Sequence, residues 1–162
     1  MIYIQLIGIL AYLFWVLSYY RKSVKDILIF QTVANFIYGI HYLLLGALSG
    51  AYSSVISIIK NIVFLKYKGN KTVLAVIFAI LYIIVAYLFY EGFHSLFPMF
   101  ANCIFLVFLL KDDKFKLLVG EMICALIWLT YGIFINSYAT IITEIIAFIS
   151  SVIQLRKIKM TK

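Results

Sequence analysis

The feature that most constrains this chain is where its charges fall. Long apolar stretches are broken by short polar turns, and the basic side chains gather in every second turn. A helix needs roughly 20 residues to cross about 30 Å of hydrocarbon. Seven stretches come close enough to that length: about 2–20, 27–46, 50–66, 72–90, 95–110, 115–135 and 138–156. With seven crossings, the breaks after the first, third and fifth spans share one membrane face with the C-terminus. That face holds Arg21, Lys22, Lys25, Lys66, Lys68, Lys71, Lys111, Lys114, Lys116, Arg156, Lys157, Lys159 and Lys162, thirteen of the 14 basic residues. The fourteenth, Lys60, is expected to snorkel toward the same face. The opposite turns (Ser49-Gly50, Glu91-Gly92, Asn136-Ser137) carry no Lys or Arg. By the positive-inside rule the basic face is cytoplasmic, which places the N-terminus out and the C-terminus in.

Composition agrees with lipid as the solvent. The chain is 66% apolar and 12% charged, with a mean hydropathy of +1.11, against about 45–50% and about 25% for a soluble domain. With one Pro and 8 Gly, helices are favoured over a barrel, whose strands would alternate polar and apolar. The first ten residues carry no Lys or Arg and read as the start of a retained helix, not a signal peptide. The expected fold class is therefore an all-α membrane protein of seven transmembrane helices. Its net charge of +8 is a topology signal, with some affinity for anionic lipid, and no nucleic-acid partner is expected.

The residues also argue against an enzyme. Asp26, Asp112 and Asp113 all fall in loops, which leaves no intramembrane aspartyl protease, and neither metalloprotease spacing nor a Gly-rich phosphate loop is present. Glu91 and His94 share an outer turn and read as surface residues. Cys103 and Cys124 fall inside apolar runs and read as packing residues, not as a disulfide or a metal site. No cofactor and no metal are expected.

Shifted by 90 residues, the two ends of the chain register without a gap: Gln31 falls on Glu121, Tyr38 on Trp128, His41 on Tyr131, Ser54 on Glu144 and Lys66 on Arg156. This divides the chain into a three-helix unit (1–67), a linker helix (68–93) and a second three-helix unit (94–162). A single crossing between them gives both units the same orientation, a 3+1+3 parallel repeat about an axis along the membrane normal. Polar residues within the spans then deserve a role. Ser54, Ser57 and Asn61 form one stripe in the third span; Asn35, Tyr38 and His41 form another in the second. Glu121, Trp128 and Tyr131 follow one another in the sixth span, and Thr140, Thr143 and Glu144 in the seventh. An ionised acid at the depth of Glu144 costs about 2.5–3.5 kcal/mol on insertion scales, so water, a partner or protonation must compensate it. Ser and Thr bonded to their own backbone, and Asn61 tying two helices together, are the alternative structural readings.

The 3+1+3 order with an outward N-terminus resembles the SWEET sugar transporters, their half-size SemiSWEET relatives and PQ-loop-like proteins. Trp128-x-x-Tyr131-Gly132 is similar to the Trp-x-x-Tyr-Gly of SemiSWEET sequences, and Glu144 stands where that group commonly has a substrate-facing Asn. The Pro-Gln motif of those transporters is absent at Val16-Leu17-Ser18-Tyr19 and at Val107-Phe108-Leu109-Leu110, and Pro98 is the only proline. Over its whole length the chain is similar to a bacterial inner-membrane family of the YgjV type. The resemblance implies a multi-pass protein of the bacterial cytoplasmic (inner) membrane that moves a small polar solute: a sugar, a vitamin- or nucleoside-like molecule, or a cationic metabolite. Trp128 and Tyr38 would stack on the solute. Glu144, Ser54, Asn61 and Asn35 would hydrogen-bond it, with Ser57, His41, Tyr131 and Thr140 close by. An acid in place of Asn favours a cationic solute or a proton-linked cycle. A non-transporting assembly or lipid-associated protein that keeps the fold is the alternative. The partners implied are the solute and membrane lipids, and homo-oligomerisation stays open.

Overall fold

A computed structural model describes residues 2–160; Lys162, counted above with the basic face, lies outside them. The described residues form seven α-helices: α1 (Ile2–Tyr19), α2 (Val24–Leu44), α3 (Leu48–Lys66), α4 (Lys71–Leu88), α5 (Phe97–Leu109), α6 (Lys114–Phe134) and α7 (Tyr138–Met160). Six of them are long and apolar enough to cross a membrane. The exception is α5, with 13 residues, which is preceded by a 3-10 turn over Phe93–Leu96. The sequence suggests one unbroken span over 95–110. Pro98 instead sits in the first turn of α5, where a missing N–H is tolerated, and the chain before it tightens. Turn and helix together rise about 27 Å.

Local chemistry sets the helix ends. Ser23 and Asp113 cap α2 and α6, accepting from the backbone N–H of Asp26 and Lys116; Asn70 caps α4 by accepting from Thr72 N–H. The far ends of α2 and α6 close alike. Ala47 N–H donates to Tyr42 O and Ser137 N–H to Gly132 O, each at 2.9 Å. This closure requires a left-handed residue between helix and turn, supplied by Gly46 (φ 74) and Asn136 (φ 53). At the C-terminus, α7 runs four residues past the expected 156 and takes Lys157 and Lys159 into its last turn. Both are good helix formers and complement the helix dipole there.

Helix α2 packs between α1 and α3, and α6 between α5 and α7. The two groups meet where α1 lies along α7 and α3 touches α5, while α4 leans on α3 and α5. Large aliphatic and aromatic side chains face outward on every helix, Leu13, Ile59, Val76, Val107, Leu126 and Ile149 among them. The polar residues turn inward: Gln31, His41, Asn61, Glu121, Thr140 and Ser151 are at most 3% exposed. An apolar outside around a polar inside is what a lipid solvent selects.

Lys60 does not snorkel. It is 2% exposed, and its ammonium lies 4.2 Å from the centre of the Phe105 ring. It shares the inward stripe of α3 with Ser57, Asn61 and Phe64, so its stem follows that stripe into the bundle and finds an aromatic face and the field of Glu121 there.

Candidate functional site

Between the two groups of helices lies a cavity of about 30 Å³, space for a water molecule or two. Asn35 and Tyr38 of α2 and Ser54 of α3 line it on one side; Ala125 and Trp128 of α6 and Glu144 of α7 line it on the other. Each residue of the second trio stands 90 positions after its counterpart in the first. Ser54 and Glu144 each sit six residues into their helices, a rise of about 9 Å from the helix start. The remaining lining comes from Trp15, Tyr42, Glu121 and Cys124.

The aromatic wall is continuous. Tyr38 and Tyr42 are near-parallel with centroids 5.7 Å apart, Tyr42 and Trp128 likewise at 5.8 Å, and Trp15 meets Tyr38 edge-on at 6.2 Å. These separations fall in the favourable range for aromatic pairs.

The two acids differ sharply. Glu121 is 3% exposed and accepts a hydrogen bond from the Gln31 side-chain amide. The Trp15 and Tyr19 side chains also reach it, and Lys60 lies within its field. Glu144 is only partly buried, and among the described residues no side chain hydrogen-bonds it. It feels Glu121, Tyr38 and Tyr12 only through space. The buried Tyr12 hydroxyl near it also has no partner.

Beyond the cavity, toward the ends of α2 and α6 away from the basic turns, two cross-links join the helix groups. His41 Nδ1 lies 2.8 Å from Ile4 O and its Nε2 lies 2.8 Å from Ser137 Oγ. A carbonyl only accepts, so Nδ1 donates to Ile4, and in the neutral ring Nε2 accepts from Ser137. Tyr131, 90 residues after His41, sends its hydroxyl the opposite way. It accepts from Gly50 N–H at 3.0 Å and pairs with Ser49 Oγ at 3.0 Å. Gly50 is required for this approach, because a Cβ there would lie 2.8 Å from the Tyr131 oxygen. Toward the opposite end the Gln31–Glu121 bond spans the same gap between α2 and α6. The cavity is thus bounded at both ends.

Of the ten candidate residues, the structure brings Asn35, Tyr38, Ser54, Trp128 and Glu144 together around the cavity. The other five lie outside it. His41, Tyr131 and Thr140 belong to the cross-links, where Ser137 Oγ and Thr140 Oγ1 are 2.8 Å apart. Ser57 pairs with the Tyr82 hydroxyl at 2.7 Å and donates to Asn102 Oδ1 at 3.1 Å, tying α3 to α4 and α5. Asn61 reaches Leu28 O at 3.5 Å, with its own Oδ1 unpartnered. Both cysteines are free thiols, and Cys124 donates to Ala101 O at 3.1 Å. His94 stacks on Phe134 at the end of the bundle away from the basic turns.

Sequence reasoning misses Trp15 and Tyr42. The offset gives no hint of either, since their counterparts are Phe105 and Gly132. The available signal is that Tyr42 adjoins His41 on α2, and that Trp15 is one of only 2 tryptophans in the chain.

A family model for bacterial inner membrane proteins, Imp-YgjV, matches residues 2–162. The chain belongs to this family. It is accordingly a multi-pass protein of the bacterial inner membrane, with six helices long enough to span it. No curated protein and no solved structure matches it significantly.

Proposed function

We propose that this family member is a transporter that carries a small polar solute across the inner membrane, through the cavity between two matched three-helix units. One observation carries the reading: three lining pairs, Asn35/Ala125, Tyr38/Trp128 and Ser54/Glu144, keep one offset and border one cavity. A duplicated unit whose matched positions meet at a central polar site, closed at both ends by a few hydrogen bonds, is the arrangement alternating access needs. α1–α3 and α5–α7 are the units of a 3+1+3 parallel repeat, α4 is the linker, and the bundle follows the SWEET-like plan. The basic loops put the N-terminus outside and the C-terminus inside. The His41 and Tyr131 cross-links serve as the outer barrier and Gln31–Glu121 as the inner one. The protein performs no covalent chemistry and needs no cofactor.

The test is exchange of labelled polar solutes (sugars, nucleosides, amines) in proteoliposomes containing the purified protein. Saturable exchange of at least one solute, lost in Trp128→Ala and Glu144→Gln, supports transport. The small volume of the cavity and the use of His41, Tyr131, Thr140 and Ser57 in internal bonds favour the rival reading, an assembly or lipid-associated protein. That reading predicts no exchange of any solute and a stability loss in Glu144→Gln.

A further inference from the structure

We propose that the cavity is a cation site, which takes the ammonium head of a small monovalent organic cation between the Glu144 carboxylate and the Trp128 and Tyr42 rings. The proposal rests on the reading of the cavity as a solute site and names the solute class.

Charge comes first. The lining contains two carboxylates, Glu121 and Glu144, and no Lys, Arg or His. Lys60 lies outside the lining, held over Phe105, and its charge is set against Glu121, which also holds the Gln31 amide. Glu144 has no such partner among the described residues. When Glu144 is ionised, one negative charge is left facing the cavity, and a charge without a partner inside the membrane is costly. A monovalent cation cancels it.

The hydrogen-bonding groups are compatible with the same class. Asn35 Nδ2 donates to Gln31 O at 2.8 Å, and Ser54 Oγ donates to Gly50 O at 3.0 Å. Ser54 Oγ thereby uses its only donor and the Asn35 amide one of its two, and both side chains still offer oxygen lone pairs to a ligand. Trp15 likewise spends its indole N–H on the Tyr19 hydroxyl at 2.8 Å. Acceptors around a carboxylate suit a ligand rich in N–H or polarised C–H groups.

The walls point the same way. Trp15, Tyr38, Tyr42 and Trp128 all border the cavity, and aromatic rings attract ammonium and quaternary ammonium groups, most strongly where water is excluded. Rings plus one unmatched carboxylate form a cage for such a head group. The present volume admits no more than a bare ammonium group, so a bulkier head and the rest of the solute need the cavity to widen toward one end.

The protein carries its own reporter, since its 2 tryptophans, Trp15 and Trp128, both line the cavity. Tryptophan fluorescence of the purified protein in detergent would be titrated with methylammonium, tetramethylammonium and choline. The control is dimethylbutanol, which has the shape of choline with carbon in place of nitrogen. The expected result is a saturable change with at least one cation and none with dimethylbutanol. Affinity should fall about tenfold or more in Glu144→Gln and return largely in Glu144→Asp. An equal response to choline and dimethylbutanol, or no response to any cation up to millimolar concentrations, overturns the proposal. So does a Glu144→Gln protein that binds the cation as the parent does. The comparison of choline with its isostere uses the unmutated protein and survives a variant that fails to fold. Sugar exchange in proteoliposomes without a cation response would retire the cation and leave transport standing. Cation binding without exchange of any solute would do the reverse.

Discussion

Residues 24–66 and 114–160 build nearly the same scaffold and fill it with different chemistry. Their first helices, α2 and α6, are both 21 residues long. Both open on a side-chain cap and end in a turn with one left-handed residue, and α3 and α7 follow. Into that frame the first half puts Gln31, Asn35, Tyr38 and Ser54, all uncharged. The second puts Glu121, Ala125, Trp128 and Glu144 at the matched positions. The charge and the larger ring thus lie on one side of the cavity, and neutral groups on the other.

The Gln31–Glu121 bond is where the halves depend on each other most. Replacing Glu121 by Leu leaves the Gln31 amide buried without its acceptor and the Lys60 ammonium without the opposite charge in whose field it lies. A broken buried pair costs about 3–5 kcal/mol, so chemical unfolding of the purified protein should show a larger loss than for a substitution at either outer cross-link or at Ser54. Gln31→Glu sets two acids face to face and should also destabilise. The exchange Gln31→Glu with Glu121→Gln restores the bond in reverse. It should recover a large part of the loss, because residues in contact are not additive. A double variant that behaves as the sum of the singles would separate the two positions and break the comparison.

The His41 and Tyr131 cross-links come next. Tyr131→Phe removes the acceptor of Gly50 N–H and the partner of Ser49 while keeping the ring against Tyr42 and Trp128. Hydrogen bonds between membrane helices average about 0.6 kcal/mol, so a loss of about 1 kcal/mol is expected for the two. His41→Phe removes the matching contacts to Ile4 and Ser137 and should cost a similar amount. If the two cross-links form one outer barrier, either variant also increases access of a thiol reagent to Cys124, which lines the cavity. Unchanged Cys124 labelling in both would mean that these bonds hold the helices together without closing anything.

How much of this is legible in the sequence depends on the kind of signal. Hydrophobic length with basic punctuation places most helix ends to within a few residues, and the offset pairs α2 with α6. Segment 93–109 is harder, since Phe93, Leu96 and Phe97 are apolar in a tight turn and in a helix alike. The extension of α7 is hidden because Arg156 and Lys157 read as a boundary although they favour helix. Distance to the helix end misplaces Lys60, when the side-chain direction it shares with Ser57 and Asn61 decides its fate. For the site, spacing picks the inward face of a helix but not the depth along it. Asn35, Tyr38, Ser54, Trp128 and Glu144 lie at cavity depth. His41, Tyr131 and Thr140 lie one turn nearer the end away from the basic turns on the same faces, where the neighbouring turns claim their hydrogen bonds. Trp15 comes from α1, which has no polar stripe to draw notice.

The smallest effect on stability is expected at the pair that differs most in chemistry. Ser54 bonds only the backbone of its own helix, and such bonds contribute little to holding helices together, so Ser54→Ala should shift unfolding by no more than about 0.5 kcal/mol. Glu144→Gln keeps the shape and deletes a charge that no described side chain hydrogen-bonds, so its stability should stay level or rise. A position that costs nothing to neutralise and yet retains an acid inside the membrane is held for what it binds. The two outcomes at Glu144 therefore divide the readings: unchanged or higher stability with loss of solute response assigns the acid to the ligand. A loss of about 2 kcal/mol or more, the cost of leaving a buried polar group unsatisfied, would make it a structural partner of Tyr12 and Tyr38. The difference between the halves would then be one of packing, and the cavity between them would lose its claim to a solute.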